Sequence, residues 1–335
     1  MHWRRAHFSS DFQDRDLPIN APASFIDLPA YFGRIGFTRD GRPAPTLDTL
    51  RALHLLHPQA IPFENLDVLL GRPVRINLSS IQKKLVTNKR GGYCYGNNLL
   101  FRSVLEALGF RVRSYAGRVL WGRDADAPMP SRTRMLLVVE IEHTRFLADV
   151  GFGGMTLSAP IVLQTGLEQI TPHGAFRLEA AHTRDSELPA YVLQTLIDGH
   201  WKPIYHFDLD PQYQSDYEMS NHFVSTYPES VFVHNLLAAR LAPGIRYGLF
   251  NRAFSVHDER EGTHKLELNV DELRRALADE IDIRLPDTPE LDAVLARREH
   301  AGIDTLSLRR RPRCSRRRRA AAAISRRIIE ARYSP

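Results

Sequence analysis

The hydrophobic period of the chain changes at Val112, and that change limits the fold more than any single motif does. Before it, apolar residues recur at helical spacing. Thr46 to His57 sets Leu47, Leu50, Leu53 and Leu56 three apart, with Thr46 as the N-cap and Pro58 just past the expected end. Ser24 to Gly36 reads as a shorter helix stopped by glycine, and Phe101, Val104, Leu105 and Leu108 mark a third that starts near Cys94 and stops at Gly109. After Val112, short stretches rich in β-branched and aromatic residues take over: Val112 to Trp121, Met135 to Ile141, Arg145 to Val150, Tyr191 to Ile197 and Trp201 to Phe207. Glu142-His143-Thr144 and Asp198-Gly199-His200 read as hairpin turns, and Gly122 to Ser131, rich in Asp, Ala and Pro, as an exposed loop. The last third mixes both periods. Helices are expected over Ser230 to Ala239, Asp271 to Asp279 and Pro289 to His300, with strands near Gly248 to His257 and Lys265 to Val270. The expectation is an α+β chain: a helical subdomain over residues 1–110, a β-barrel over 111–215, a mixed α/β part over 216–300 and a tail over 301–335.

The chain has 335 residues, 43% of them apolar and 25% charged, which is enough to bury a sizeable core. No apolar run reaches membrane-spanning length; Met135 to Val139 is strand-sized. Positive charge at Arg4 and Arg5 is followed by the polar Ser9 to Asp16 rather than an apolar segment, so no secretory signal is expected and the cytoplasm is the expected location. The two cysteines, Cys94 and Cys314, lie in regions of unlike composition, which argues against a disulfide framework and against a metal site. The net charge of +6 is misleading. Arg309 to Pro335 holds eleven arginines and one acid, Glu330, a local net of +10 that leaves the residues before it at −4. The body therefore gives no charge argument for nucleic acid or membrane. Two readings of the tail stay open, salt-sensitive nucleic-acid binding and a non-functional appendage, and the second is expected.

Arg90-Gly91-Gly92-Tyr93-Cys94-Tyr95-Gly96-Asn97-Asn98 is the stretch richest in chemistry. Paired glycines allow close backbone approach, and a helix beginning within a few residues places Cys94 at or near its N-terminus, where amide dipoles favour a thiolate. The alternative is a small buried filler. In Phe146 to Gly154 an apolar strand ends in Asp149 and a glycine-rich turn. Such a carboxylate either orients a catalytic partner or caps a turn. No Walker-type phosphate loop occurs.

These two stretches resemble the arylamine N-acetyltransferase family. Arg90 to Asn98 is similar to its Arg-Gly-Gly-x-Cys-x-Glu-x-Asn motif, and Leu147 to Gly154 to its Ala-Asp-Val-Gly-Phe-Gly segment. Ile61 to Asp67, Gly117-Arg118-Val119 and Thr171-Pro172-His173-Gly174 also match, and in order the matches span about residues 25 to 285. The resemblance implies a cysteine-protease-like fold, with helical bundle, β-barrel and α/β lid. It implies ping-pong acetylation of arylamines, arylhydroxylamines or hydrazines by acetyl-CoA, through acetyl-Cys94 with Asp149 in support. It further implies that Val119 and Phe152 line the acceptor pocket, that Thr171, His173 and Gly174 approach CoA, and that Arg90 with Glu64 and Asn65 forms a buried network behind the cysteine loop.

Two positions depart from the pattern. The family's triad histidine, fifteen residues before Asp149, is Arg134 here, and the motif glutamate after the cysteine is Gly96. An arginine stabilises a thiolate but cannot act as a base near neutrality. The expected outcome is an Arg134–Asp149 ion pair and a catalytically weakened site. His54, His57 and His143 are expected to be structural or solvated, not substitute bases. Two other readings stay open: an amide synthase on the same scaffold, and a pseudoenzyme that binds a ligand or partner without turnover.

Overall fold

Capping residues set the helical part of the molecule, which a computed structural model describes over residues 25–38, 41–183 and 186–296. Asp27 caps α1 (Leu28–Ile35) by accepting from the Ala30 N–H, and Gly36 ends it in the left-handed region at φ 68°. Thr46 caps α2 (Leu47–Ala60) through the Thr49 N–H. This helix runs three residues beyond the expected stop at His57. Pro58 forfeits only the bond that an N–H there would give to the His54 carbonyl, and the Ile61 N–H still reaches the His57 carbonyl at 2.7 Å. Short elements follow that the periodicity did not disclose: β1 (Phe63–Glu64), α3 (Leu66–Leu69) and α4 (Leu78–Ile81), the last continuing as π-helix over Gln82–Thr87. Then comes α5 (Cys94–Ala107), with Gly109 just beyond it at φ 91°.

The β region begins with the meander β2 (Arg111–Val119), β3 (Arg134–Ile141) and β4 (Thr144–Ala148). It continues through β5 (Ile161–Val162), β6 (Gln169–Thr171), β7 (Gly174–Thr183), β8 (Ser186–Ile197) and β9 (His200–Pro211). These make one antiparallel eight-stranded sheet, in the order β5-β4-β3-β2-β9-β8-β7-β6. The sheet curls until its ends nearly meet. The Gly166 N–H reaches the Leu178 carbonyl at 2.8 Å, and the Gln169 side chain bonds both backbone groups of Val162 across the seam. Both expected hairpins are tight and left-handed: Glu142 and His143 have φ of 46° and 67°, Asp198 and Gly199 of 50° and 75°.

Strand β3 is buried on both faces, and its period of two divides them cleanly. Leu136 and Val138 join Leu147, Phe176, Tyr205 and Phe207 inside the barrel, while Met135, Leu137 and Val139 pack with Leu100, Phe101 and Val104 of α5. The third region starts with α6 (Gln214–Thr226) and α7 (Val231–His234) and continues with the strands β10 (Leu237–Ala242), β11 (Ile245–Phe250), β12 (Ala253–Asp258) and β13 (Gly262–Glu267). It ends with α8 (Val270–Arg275), a π-helical extension over Ala276–Glu280, and α9 (Pro289–Ala296). Its sheet runs β1-β10-β11-β12-β13, so the cysteine-bearing region contributes the edge strand.

Several sequence expectations are corrected here. The helix over Ser230 to Ala239 stops at His234, because Ala238 and Ala239 pair with Glu64 and Phe63 of β1. Gly248 to His257 is not one strand but a hairpin, turned at Asn251 with φ 53°. The expected last helix is described as far as Ala296, and the basic tail with Cys314 lies outside the described residues. Among the described residues no helix is long and apolar enough to cross a membrane.

Candidate active site

Cys94 is the first residue of α5, and the backbone on either side fixes it there. Gly92 lies as a bridge partner beside Phe63, with its N–H on the Pro62 carbonyl at 3.1 Å and its carbonyl accepting from the Glu64 N–H at 3.2 Å. Gly91 cannot be anything larger: a Cβ there would sit 2.3 Å from the Pro62 oxygen. Asn97 holds the same loop from inside the helix by donating to the Gly92 carbonyl at 2.6 Å. The Cys94 thiol points at the Thr133 carbonyl, 3.9 Å away, and the residue is 5% exposed. Burial pushes this thiol up; the Arg134 charge and the Met135 N–H pull only part of that back. The acidic thiol expected from the helix N-terminus is therefore not what the fold provides.

The register of β3 against β4 explains what stands beside it. Leu137 lies opposite Ala148, and continuing that register sets Asp149 opposite Leu136, on the barrel face where Arg134 also points. Arg134 donates through Nη2 to Asp149 Oδ2 and through Nη1 to the Gly151 carbonyl at 3.2 Å. Asp149 Oδ1 accepts from Asn98 Nδ2 and from the Gly151 N–H, each at 3.0 Å. Burial alone would raise the Asp149 carboxyl, but the Arg134 charge and these three donors hold it below the ordinary range. Asp149 in turn keeps Arg134 charged against the pull of burial. The guanidinium carbon lies 4.5 Å from the Phe152 ring centre and 4.8 Å from that of Tyr205, so the cation is clamped between rings as well as paired. The expected ion pair is present.

Asn98, which the sequence reading left without a role, joins the helix to the barrel. Besides Asp149 it bonds the Met135 carbonyl at 2.9 Å and the Val150 N–H at 3.2 Å. Gly151 then approaches so closely that a Cβ would meet Cys94 Cα at 2.9 Å.

Behind the loop, Arg90 and Glu64 pair as expected, at 2.8 and 3.1 Å. Asn65 does not take part. It caps the start of β10, donating to the Phe232 and Asn235 carbonyls and accepting from the Leu237 N–H at 2.8 Å. Its place in the network is filled by Asp67 and Lys84, with Lys84 Nζ 2.6 Å from Asp67 and 3.3 Å from Glu64. Val119 pairs with Tyr205, so its half-buried side chain leaves the sheet on the face of the Tyr205 ring, while Phe152 borders Arg134. Thr171 and His173 are turned inward: the Thr171 hydroxyl bonds the Gly174 carbonyl at 2.8 Å and His173 Nε2 the Ala242 carbonyl at 2.7 Å, which leaves Gly174 exposed.

The histidines on α2 are structural and dry rather than solvated. His57 links Tyr31 (2.9 Å) to Asn97 (3.2 Å), and His54 sits edge-on to Phe101. Among the described residues no cluster of three or more His, Cys, Asp or Glu side chains is placed to hold a metal ion.

A cysteine opening a helix, tied through an asparagine to a carboxylate on a barrel rim, belongs to an acyltransferase scaffold, and the N-acetyltransferase family model matches residues 46–290. An arylamine N-acetyltransferase of Escherichia coli K12 is 42% identical over 275 residues, 82% of this chain and 88% of that protein. The solved arylamine N-acetyltransferase of M. smegmatis superposes with a TM-score of 0.75 at 39% identity, covering 81% of this chain and 98% of that one. That of Mycobacterium marinum, solved in complex with CoA, gives 0.73 at 38% identity, with 81% and 98% covered. The chain belongs to the arylamine N-acetyltransferase family.

Proposed function

We propose that this protein carries an acetyl group from acetyl-CoA to small aromatic amines, arylhydroxylamines or hydrazines through a thioester on Cys94, in the cytoplasm, and that Arg134 leaves the cycle without its general base. The observation that carries the reading is the joint placement of Cys94 at the start of α5 and Asp149 across the Asn98 bridge, with a guanidinium where the family pattern has an imidazole. In the first half, the Cys94 thiol gives its proton to solvent and the sulfur bonds the acetyl carbon. The bond from that carbon to the CoA sulfur breaks, and CoA leaves as a thiolate that takes a proton from water. In the second half, the acceptor nitrogen bonds the acetyl carbon, the carbon–sulfur bond to Cys94 breaks, and the nitrogen's proton passes to water. Arg134 favours the thiolate state by charge, and the burial of Cys94 opposes it.

On this reading residues 1–110 form the helical subdomain with the nucleophile, 111–215 the β-barrel with Asp149, and 216–300 the α/β lid. Val119 and Phe152 face the acceptor. The turn with Thr171, His173 and Gly174 belongs to the CoA side, where it offers Gly174 and backbone. Arg90 and Glu64 hold the cysteine loop, and Asn65 holds the start of β10, the strand of the lid that pairs with β1.

Intact mass after incubation with acetyl-CoA tests the reading. An acetyl adduct is expected on the unchanged protein and absent from Cys94→Ala. Arg134→His is expected to raise turnover with a simple arylamine at least about tenfold, since a positioned base contributes on the order of 10² to 10⁴. No adduct in either the unchanged or the Arg134→His protein sinks the proposal. Retention of CoA without any adduct would instead select ligand binding without turnover, a reading favoured by the clamped Arg134 and the low exposure of Cys94.

A further inference from the structure

Loss of the base changes which nitrogen nucleophiles can finish the second half of the reaction, an inference that rests on the function just proposed. When an amine adds to acetyl-Cys94, the first species is a zwitterion, positive on nitrogen and negative on the former carbonyl oxygen. A positioned base takes the nitrogen's proton at that moment, which blocks return of the amine and lets the sulfur depart. Without one, the zwitterion collapses by expelling whichever group is the weaker base.

The side chains around Cys94 leave that partition uncorrected. Asp149 Oδ2 is held by Arg134, and Oδ1 already accepts from Asn98 and Gly151. Arg134 has donors only. Burial keeps the Tyr205 hydroxyl protonated, its pKa pushed well up. His57 spends both ring nitrogens on Tyr31 and Asn97, and His54 stands against Phe101. His206 leaves β9 on the face opposite Tyr205 and Phe207. Among the described residues no hydrogen bond joins a histidine to Cys94 or Asp149.

We infer that this site acetylates strongly basic nitrogen, in aralkylamines, in preference to weakly basic anilines. The competing leaving group is a thiolate whose conjugate acid ordinarily has a pKa of about 8.5. An aniline nitrogen is a far weaker base than that, so it is expelled first and acetyl-Cys94 is regenerated. An aralkylamine nitrogen matches or exceeds the thiolate, so the carbon–nitrogen bond persists while the carbon–sulfur bond breaks. The retained N–H proton then passes to water, and the Cys94 thiolate recovers a proton from water. Burial of the thiol moves the crossover toward still more basic amines. Phe152 beside Arg134, with Val119 on the Tyr205 face of the sheet, keeps the demand for an aromatic ring on the acceptor.

Acetyl-Cys94 is prepared with acetyl-CoA, freed of donor, and mixed with aniline or benzylamine at equal free-base concentration while loss of the acetyl mass is followed. Benzylamine is expected to discharge the unchanged protein at least about tenfold faster than aniline, a barrier difference of about 1.4 kcal/mol. Arg134→His is expected to speed aniline discharge about 10²-fold or more and benzylamine less than about tenfold. Equal rates for the two amines on the unchanged protein overturn the inference, and so does a ratio that a folded Arg134→His protein leaves unmoved. The first comparison needs no variant, so a misfolded Arg134→His leaves the test intact. Failure to form acetyl-Cys94 at all strikes the proposed function itself and is told apart by mass before any amine is added.

Discussion

At Gly151 the backbone touches the start of the cysteine helix, and at Arg90 a buried cation holds the loop before it. The two positions fail differently. A methyl group at Gly151 would meet Cys94 Cα at 2.9 Å and Asn98 Nδ2 at 3.2 Å, and the first of these is backbone that cannot step aside. Gly151→Ala is therefore expected to destabilise by about 1–3 kcal/mol. It should also slow acetyl-Cys94 formation beyond what lost stability explains, because Asn98 and Cys94 are displaced together. Urea unfolding and the rate of adduct formation check the two halves. Arg90→Met leaves Glu64, 0% exposed, with Lys84 as its remaining cation at 3.3 Å. Removing one partner of a buried pair costs about 3–5 kcal/mol, and the surviving lysine sets the expectation at the lower end. A thermal midpoint unchanged by Arg90→Met would show that Lys84 and Asp67 suffice without it. That network was half legible in the sequence. An arginine beside two glycines demands a carboxylate, which pointed to Glu64, but nothing in the spacing of Asn65 tells that its side chain turns toward β10.

Elements with strong local signals were readable, and those fixed by distant partners were not. Thr46 marks a helix start through its side-chain oxygen, Gly36 and Gly109 mark helix ends through their backbone freedom, and Asp198-Gly199 marks a hairpin in that second way. Helix α6 left no such mark. Its buried residues Tyr217, Asn221 and Val224 follow helical spacing, yet Asn221 is polar and is buried only because it accepts from the Tyr93 hydroxyl at 2.7 Å and donates to the Val74 carbonyl at 2.9 Å. Strand β1 has two residues and exists through pairing with β10. Cys94 and Asp149 were legible because the motif carries them; the consequence of Arg134 was legible from its chemistry; the weight of burial on the thiol was not, since it is a property of the packed state. Caps read from sequence carry a measurable energy. Thr46→Ala is expected to lower stability by about 1 kcal/mol, since the Thr49 N–H loses its acceptor at the start of a fourteen-residue helix. Thr46→Asp should restore it, and a Thr46→Ala protein as stable as the parent would mean that the α2 N-terminus is held by tertiary contacts alone.

Across the whole molecule, the helices and the barrel meet over a core that encloses two histidines. His54 and His57 are both fully buried, and desolvation pushes them down to about 4 and about 3, with the Asn97 hydrogen bond offsetting part of the effect at His57. In the unfolded chain each takes up a proton near pH 6.5. Between there and pH 4 the unfolded state therefore binds more protons than the folded one, so stability falls as the pH is lowered through that interval and is fully recovered above it. At one pH unit per 1.36 kcal/mol, His54 alone contributes on the order of 3 kcal/mol to that loss. Asp149 adds a loss of the same sign at lower pH, because its depressed carboxyl must be protonated before the Arg134 pair opens. The two histidines separate by their bonds. Neither ring nitrogen of His54 has a partner, whereas His57 joins Tyr31 to Asn97 and through Asn97 reaches the Gly92 carbonyl of the cysteine loop. His54→Phe is thus expected to keep neutral-pH stability within about 1–2 kcal/mol and to flatten its decline toward pH 4. His57→Phe is expected to lower stability already at pH 7, by about 1–3 kcal/mol for the unsatisfied Asn97 and Tyr31 groups, and to slow acetylation of Cys94 as the loop loses its hold. Urea titrations at steps from pH 7 to pH 4 decide the matter: a His54→Phe curve running parallel to that of the unchanged protein would place the acid sensitivity elsewhere in the fold.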